Sequence, residues 1–281
     1  MHKITWRQQL LSQGALALLG VFVLVPIWAM AFLAFDGAVK GWPTYYGVWP
    51  RQPTLDVIWR MWVNPSQQLS FLGLLRNSLT VAGGAALLST ALGASMAYAF
   101  ARYRFPGRRV GLFALLVGTL LPPVALMTPL YILLTVLHLR TTLLGLTLVY
   151  TAFSMPFCVW NMRAAFQAVP NELEESAFLD GASAWTAFWR VTLPLALPAI
   201  AIAAIVAFLL GYTEFALGWL FVSKGQDVTL AMAVSGIFGD PSPVWSRMAA
   251  LALMMSVPVV GLFLVLQKYL LNGLSLGTVE E

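Results

Sequence analysis

Side chains able to do chemistry are few, and the notable acids fall in two places. Glu214 is the one acid in an otherwise apolar stretch from Leu193 to Val222. An ionisable group at membrane depth is costly unless it is paired or used. Glu214 is therefore read as lining a solute path, as pairing with a base in a neighbouring subunit, or as a structural link. The second place is PNELEESAFLDGASAWTAFWRVTLP, Pro170 to Pro194, where Glu172, Glu174, Glu175 and Asp180 precede Gly181. Neither place is a catalytic constellation. The single Cys158 excludes a disulfide within the chain and a Cys-based zinc site, and His2 and His138 leave little for metal or acid–base work. No G-x-x-x-x-G-K-[ST] loop is present. The expectation is a chain with no catalytic residue, no metal and no cofactor of its own.

The elements that position these residues follow from composition. Of 281 residues, 60% are hydrophobic and 10% charged, and the mean hydropathy is +0.81. Soluble domains run about 45–50% apolar and about 25% charged, so most of this surface must face lipid. A span needs about 20 apolar residues. Six stretches qualify: Gly14–Phe35, Asn77–Ala101, Val110–Leu137, Thr141–Met162, Leu193–Val222 and Met248–Gln267. The first exceeds the apolar core of a signal peptide and lacks an A-x-A site, so it reads as a retained anchor. The fold class is an all-α polytopic membrane protein of six spans in a single transmembrane domain over residues 1–281.

Basic residues set the orientation. With the N-terminus inside, nine Lys and Arg fall on the inner side and seven on the outer. Density separates the sides better, because Arg102, Arg104, Arg108 and Arg109 lie within eight residues. Short loops dominate the positive-inside rule, which favours N-in, C-in. No basic run is long enough to grip nucleic acid. The first outer connection, about residues 36–73, carries Trp42, Tyr45, Tyr46, Trp49, Trp59 and Trp62. These aromatics suit the headgroup level, a docking surface for an external partner, or a sugar-stacking platform.

The inner connection, about residues 170–194, reads as two short helices around a glycine. Asn171 is a plausible N-cap, and the acids after it suit the positive end of a helix dipole. Gly181 can end that helix in a left-handed conformation. Ser183 can cap a second helix reaching about Val191, with Phe188 and Trp189 packing inward. The shape suits a socketed contact with a cytoplasmic partner, and an amphipathic surface helix is the alternative. Within the spans, Gly83, Gly84 and Gly93 suit close helix approach.

The spacing in this loop resembles the signature of ABC importer permeases, E-A-A-x-x-x-G, nine residues, then I-x-L-P. Glu175, Ser176 and Ala177 stand for E-A-A, Gly181 falls on the glycine, and Val191, Leu193 and Pro194 match I-x-L-P. Ser176 and Val191 are the departures. Asp180, Ala182, Ser183 and Phe188 look like the sugar-transporting branch. The run from Tyr98 to Arg108 is similar to the inner loop after span two of carbohydrate permeases. Tyr212, Thr213, Glu214 and Phe215 are similar to W-N-E-F in span five. The tail from Gln267 through Asn272 and Gly273 to Gly277 resembles the second permease subunit of maltose-type importers. Its terminal Glu280 and Glu281 depart from that pattern.

The resemblance implies a type I importer permease in a prokaryotic cytoplasmic membrane, working with a second permease, two ATPase subunits and an extracytoplasmic sugar-binding protein. ATP and Mg would belong to the ATPases. It further implies ATPase coupling through Glu174, Glu175, Ala177, Asp180, Gly181, Leu193 and Pro194, and a tail contact through Asn272, Gly273 and Gly277. A substrate pathway through Tyr212, Glu214, Phe215 and Trp219 is also expected, for a disaccharide or short oligosaccharide. Competing readings are an ABC permease for a non-sugar solute and an ion-coupled secondary carrier, which would typically show paired intramembrane charges. A membrane-embedded enzyme would need polar groups converging at depth, and no such set is present.

Overall fold

A computed structural model describes residues 5–39, 41–43, 45, 47–66, 69–239 and 244–275, with side chains as far as residue 267. The helices are α1 (Trp6–Phe35), α2 (Asp56–Val63), α3 (Phe71–Arg102), α4 (Arg108–Leu120), α5 (Pro123–Val136), α6 (Leu143–Ala168), α7 (Asn171–Leu179), α8 (Ala184–Ala187), α9 (Leu193–Leu195), α10 (Leu197–Thr213), α11 (Ala216–Phe221), α12 (Leu230–Phe238) and α13 (Trp245–Ser275). A π-helical turn, Phe188–Thr192, joins α8 to α9. The chain groups into two compact units, Met1–Phe71 with Val234–Val257, and Leu72–Ala233 with Pro258–Glu281.

Among the described residues, α1, α3, α6 and residues Trp245–Gln267 of α13 are each long and apolar enough to cross a membrane. Two bent pairs bring the number to as many as six. The stretch expected as one span over Val110–Leu137 is instead α4 and α5, which meet at 104°. Pro122 and Pro123 lack the N–H groups that would continue the ladder. The proline after Leu121 holds that residue extended at ψ 125°, and Pro123 opens α5 in the first turn, where its missing N–H costs nothing. By contrast α6 runs unbroken through Pro156.

The span expected over Leu193–Val222 is also divided. Its first residues, through Leu195, belong to the helical run Ala184–Leu195, which meets α10 at 77°. At its other end α10 stops at Thr213, because Glu214 is extended at ψ 133°. Beyond it, α11 falls within the same expected span, and α12 lies between the fifth and sixth expected spans.

In the larger unit α3, α6 and α10 form the core. Cys158, Val159, Met162 and Phe166 of α6 pack with Ala94 and Ala97 of α3 and Ala203 of α10. Close approach relies on glycine: a Cβ at Gly93 would lie 2.9 Å from Met162 Cε, and one at Gly211 would lie 3.2 Å from Ala82 Cα. Gly84 sits similarly against Thr147, whereas Gly83 faces open space. The connection after α11 is tied to the outer end of α3. Asn77 Nδ2 donates to the carbonyls of Gln226 (2.7 Å) and Val228 (2.9 Å), and Leu230 N donates to Ser78 Oγ (2.8 Å).

In the smaller unit the aromatic outer loop folds around Asp36, which is fully buried at the end of α1. Its carboxylate accepts from Tyr45 Oη (2.5 Å) and from the N–H groups of Ala38 (3.0 Å), Arg51 (3.0 Å) and Gln52 (3.1 Å). The Arg51 guanidinium lies 3.7 Å from the Tyr45 ring centroid. Burial alone would raise the Asp36 pKa, but these four donors outweigh it and hold it at about 2, below the ordinary 3.8. Trp42, Trp49 and Trp59 remain exposed on this loop.

A carboxyl with a lowered pKa lends stability that is complete above 3.8 and is lost as the pH falls through about 2. The Asp36 clamp should therefore hold throughout the neutral range. Asp36→Asn removes charge-assisted bonds worth about 2 kcal/mol. Hydrogen exchange at the Ala38, Arg51 and Gln52 amides should accelerate roughly thirtyfold at pH 7, with little change in the core amides of α6.

Candidate coupling and pathway sites

The acid-rich loop is built from its inner side outward. Pro170 ends the approach from α6, and α7 starts at Asn171. The expected Asn171 cap is not formed, since Pro170 occupies the N-cap position. The Asn171 side chain instead accepts from Arg102 Nη1 (2.6 Å). Asp180 ends α7, and Gly181 follows at φ +84°, a conformation that glycine alone adopts without strain. Ser183 caps α8 by accepting from Thr186 N (3.2 Å). Phe188 is buried as expected, but Trp189, beside it in the π-helical turn, is 49% exposed.

Glu174 points into the chain. It is buried at 6% exposure, and its carboxylate accepts from Arg102 Nε (2.8 Å), Tyr98 Oη (3.0 Å) and Thr192 Oγ1 (2.6 Å). Arg102 Nη2 also donates to Val169 O (2.8 Å). One carboxylate thus joins the inner end of α3, the first turn of α7 and the π-helical turn. The sequence showed the acid but not its partners. Tyr98 and Arg102 stand four residues apart, on one helix face, and that spacing beside an acidic loop was the available signal.

The remaining loop residues lie differently. Glu175, Asp180, Gly181 and Pro194 are exposed, Ala177 is half-buried, and Leu193 packs on the core. Leu179 at the end of α7 is 90% exposed, with Leu173 and Phe178 also open.

Glu214 occupies the break between α10 and α11. It accepts from Tyr150 Oη (2.6 Å), Leu217 N (2.9 Å) and Gly218 N (3.3 Å), and so serves as a structural link that satisfies the first N–H groups of α11. Tyr212 is buried and stacks on Phe208 with centroids 5.3 Å apart. Phe215 and Trp219 are exposed. Asn272 and Gly273 lie in the last turns of α13, and Gly277 lies outside the described residues.

Comparison with known proteins decides the class of this architecture. The family described as the binding-protein-dependent transport system inner membrane component matches residues 89–275. The chain belongs to this family. It is a multi-pass inner-membrane permease and a non-catalytic transport subunit, and nucleotide chemistry resides in the ATPase partners of such systems. The maltose/maltodextrin transport system permease protein MalG of Escherichia coli (strain K12) is 35% identical over 211 residues, 73% of this chain and 71% of that protein. The trehalose transport system permease protein SugB of Mycobacterium tuberculosis (strain CDC 1551) is 32% identical over 213 residues, 75% of this chain and 77% of that protein. A crystal structure of a bacterial ABC transporter involved in the import of the acidic polysaccharide alginate superposes with a TM-score of 0.75. That match covers 96% of this chain and 99% of the other at 21% identity, and it establishes the shared importer-permease fold.

In this permease the Glu174–Arg102 pair should behave as a buried ion pair. Removing one partner leaves an uncompensated charge, at about 3–5 kcal/mol. Arg102→Met should therefore lower the melting temperature in detergent more than Glu174→Gln, since glutamine can still accept from Tyr98 and Thr192. A double-mutant cycle should return a coupling of about 2 kcal/mol. Strict additivity would show that the two side chains do not interact.

Proposed function

We propose that this permease is one of two membrane subunits of an ATP-driven importer for a disaccharide or short oligosaccharide, and that the α7–Gly181–α8 loop docks into the ATPase subunits. The named solutes of the related proteins, maltose, maltodextrin and trehalose, support a carbohydrate. An extracytoplasmic binding protein delivering that sugar accords with the family description.

The observation that carries the docking reading is the two-sided character of α7. Its inner side is fixed by Glu174, while its outer side presents Glu175, Leu179 and Asp180 to solvent. An apolar residue left 90% exposed beside two acids forms a small amphipathic contact whose complement is an apolar cleft rimmed by bases. Gly181 then redirects the chain into α8 and onward to α10, so a displaced α7 pulls on a span through few residues. Leu193 and Pro194 lie on that route, and Ala177 keeps α7 narrow enough to enter a cleft. Asn272, Gly273 and Gly277 are assigned to a second contact with the same ATPases. The expected cycle is a population shift between inward-open and outward-open states, biased by ATP on one side and by loaded binding protein on the other.

For the solute path, Tyr212, Glu214, Phe215 and Trp219 are the residues expected from the family resemblance. Phe215 and Trp219 are the members with open rings, and sugar faces stack well on such rings. Glu214 holds the helix break that separates them from α10, and Tyr212 is buried against Phe208.

Gly181→Pro imposes a φ near −65° where +84° is required, and Glu175→Lys reverses the exposed charge. Each should leave membrane insertion intact. Each should also cut sugar uptake and binding-protein-stimulated ATPase activity at least tenfold, a loss of about 1.4 kcal/mol or more in coupling. Uptake at the normal rate in both variants would remove the coupling assignment.

A further inference from the structure

Four arginines lie within eight residues where α3 passes into α4, and the structure divides their labour. Arg102 is consumed inside the chain by Glu174, Asn171 and Val169. Arg104, Arg108 and Arg109 have no side-chain hydrogen bond and no ion pair among the described residues, where Arg102–Glu174 is the one salt bridge. Instead they line open space. A cavity of about 510 Å³ is bounded by Arg104, Phe105, Arg108, Arg109 and Val110. A second, of about 530 Å³, shares Arg104 and Arg108 and extends to Gln167, Asn171 and Glu172 at the start of α7. Arg108 and Arg163 also act on each other as like charges. The local field is positive, with Glu172 the one acid on the rim.

The neighbouring surface identifies the kind of anion. From Arg108 onward α4 turns an apolar stripe outward, with Val110 71%, Phe113 65% and Leu120 75% exposed, and Leu116 open between them. Spacings of three and four residues place these on one helix face. A free anion would have no use for that stripe, and an acidic protein surface could not follow it along a membrane span. A molecule with a phosphate head and hydrocarbon tails matches both parts. The N-in orientation places the cleft at the cytoplasmic leaflet, where basic pockets between spans favour anionic head groups.

We propose that the cleft formed by Arg104, Arg108 and Arg109 holds the phosphate of an anionic phospholipid, whose acyl chains lie along the Val110–Leu120 face of α4. Phe105 closes the cleft at the level where head group meets chain. Its ring packs on Phe100 of α3, with centroids 5.5 Å apart. The site requires only the membrane setting of the chain, so it stands apart from the docking of α7.

The test is native mass spectrometry of the purified, assembled transporter, titrated with phosphatidylglycerol and with phosphatidylcholine of the same acyl chains. Wild type should retain phosphatidylglycerol selectively. Arg104→Gln/Arg108→Gln should weaken that retention about thirtyfold, given the usual strength of two basic residues at an anionic surface, and leave phosphatidylcholine unchanged. Arg104→Lys/Arg108→Lys should stay within about threefold of wild type, which separates lost charge from a damaged fold. Inorganic phosphate should displace the lipid no better than chloride at equal ionic strength. Equal retention of the two lipids by wild type, or undiminished phosphatidylglycerol in the glutamine variant, would overturn the proposal. Loss of the ATPase subunits from that variant with lipid retention intact would also overturn it, by making the cleft a protein contact.

Discussion

The Glu174 carboxylate is the point on which the inner half of this permease depends. A charge buried at 6% exposure is tolerable only with partners, because desolvation outweighs anything short of several well-made hydrogen bonds. Glu174 has three, and they come from α3 and the π-helical turn rather than from its own helix. The interaction cannot form until α7 has folded back against the end of α3. It therefore fixes where the loop lies as well as how stable it is. Everything on the outer side of α7, from Glu175 to Leu179, takes its direction from that one inward residue.

The spans were mostly legible because lipid imposes a simple rule. Every backbone group must be satisfied internally, so a spanning segment is a helix and its sequence is an apolar run. α1, α3, α6 and α13 follow this rule and were found by hydropathy. Runs of the same apolar character hide breaks, however. Pro122–Pro123 divides one expected span and Glu214 another, and in each case the break is set by one or two residues inside a long hydrophobic stretch. Averaging over 20 positions erases them. Proline alone is also not a reliable sign, since Pro156 sits in an unbroken helix while Pro122 ends one.

The candidate sites show the same division. The acidic loop and its glycine were readable because helix ends and left-handed turns have local preferences, and Gly181 and Ser183 behave accordingly. The roles of Glu174 and Glu214 were not readable, because each is decided by a residue far along the chain: Arg102 for one and Tyr150 for the other. Adjacent glutamates, 174 and 175, point to opposite sides, and composition carries no information about which. Asp36 is a further case. As a lone acid at a span boundary it carries no local signal in the sequence, yet it organises the tryptophan-rich outer loop.

One dimension of α3 has a mechanical meaning. At 32 residues it is roughly 48 Å long, against a hydrocarbon core of about 30 Å. It must tilt or extend beyond the bilayer, and it is held at both extremities. Arg102 grips the loop at one end, and Asn77 and Ser78 grip the segment after α11 at the other. A helix of that length is stiff, so the loop gripped at one end and the segment gripped at the other are held at a fixed separation set by α3 itself.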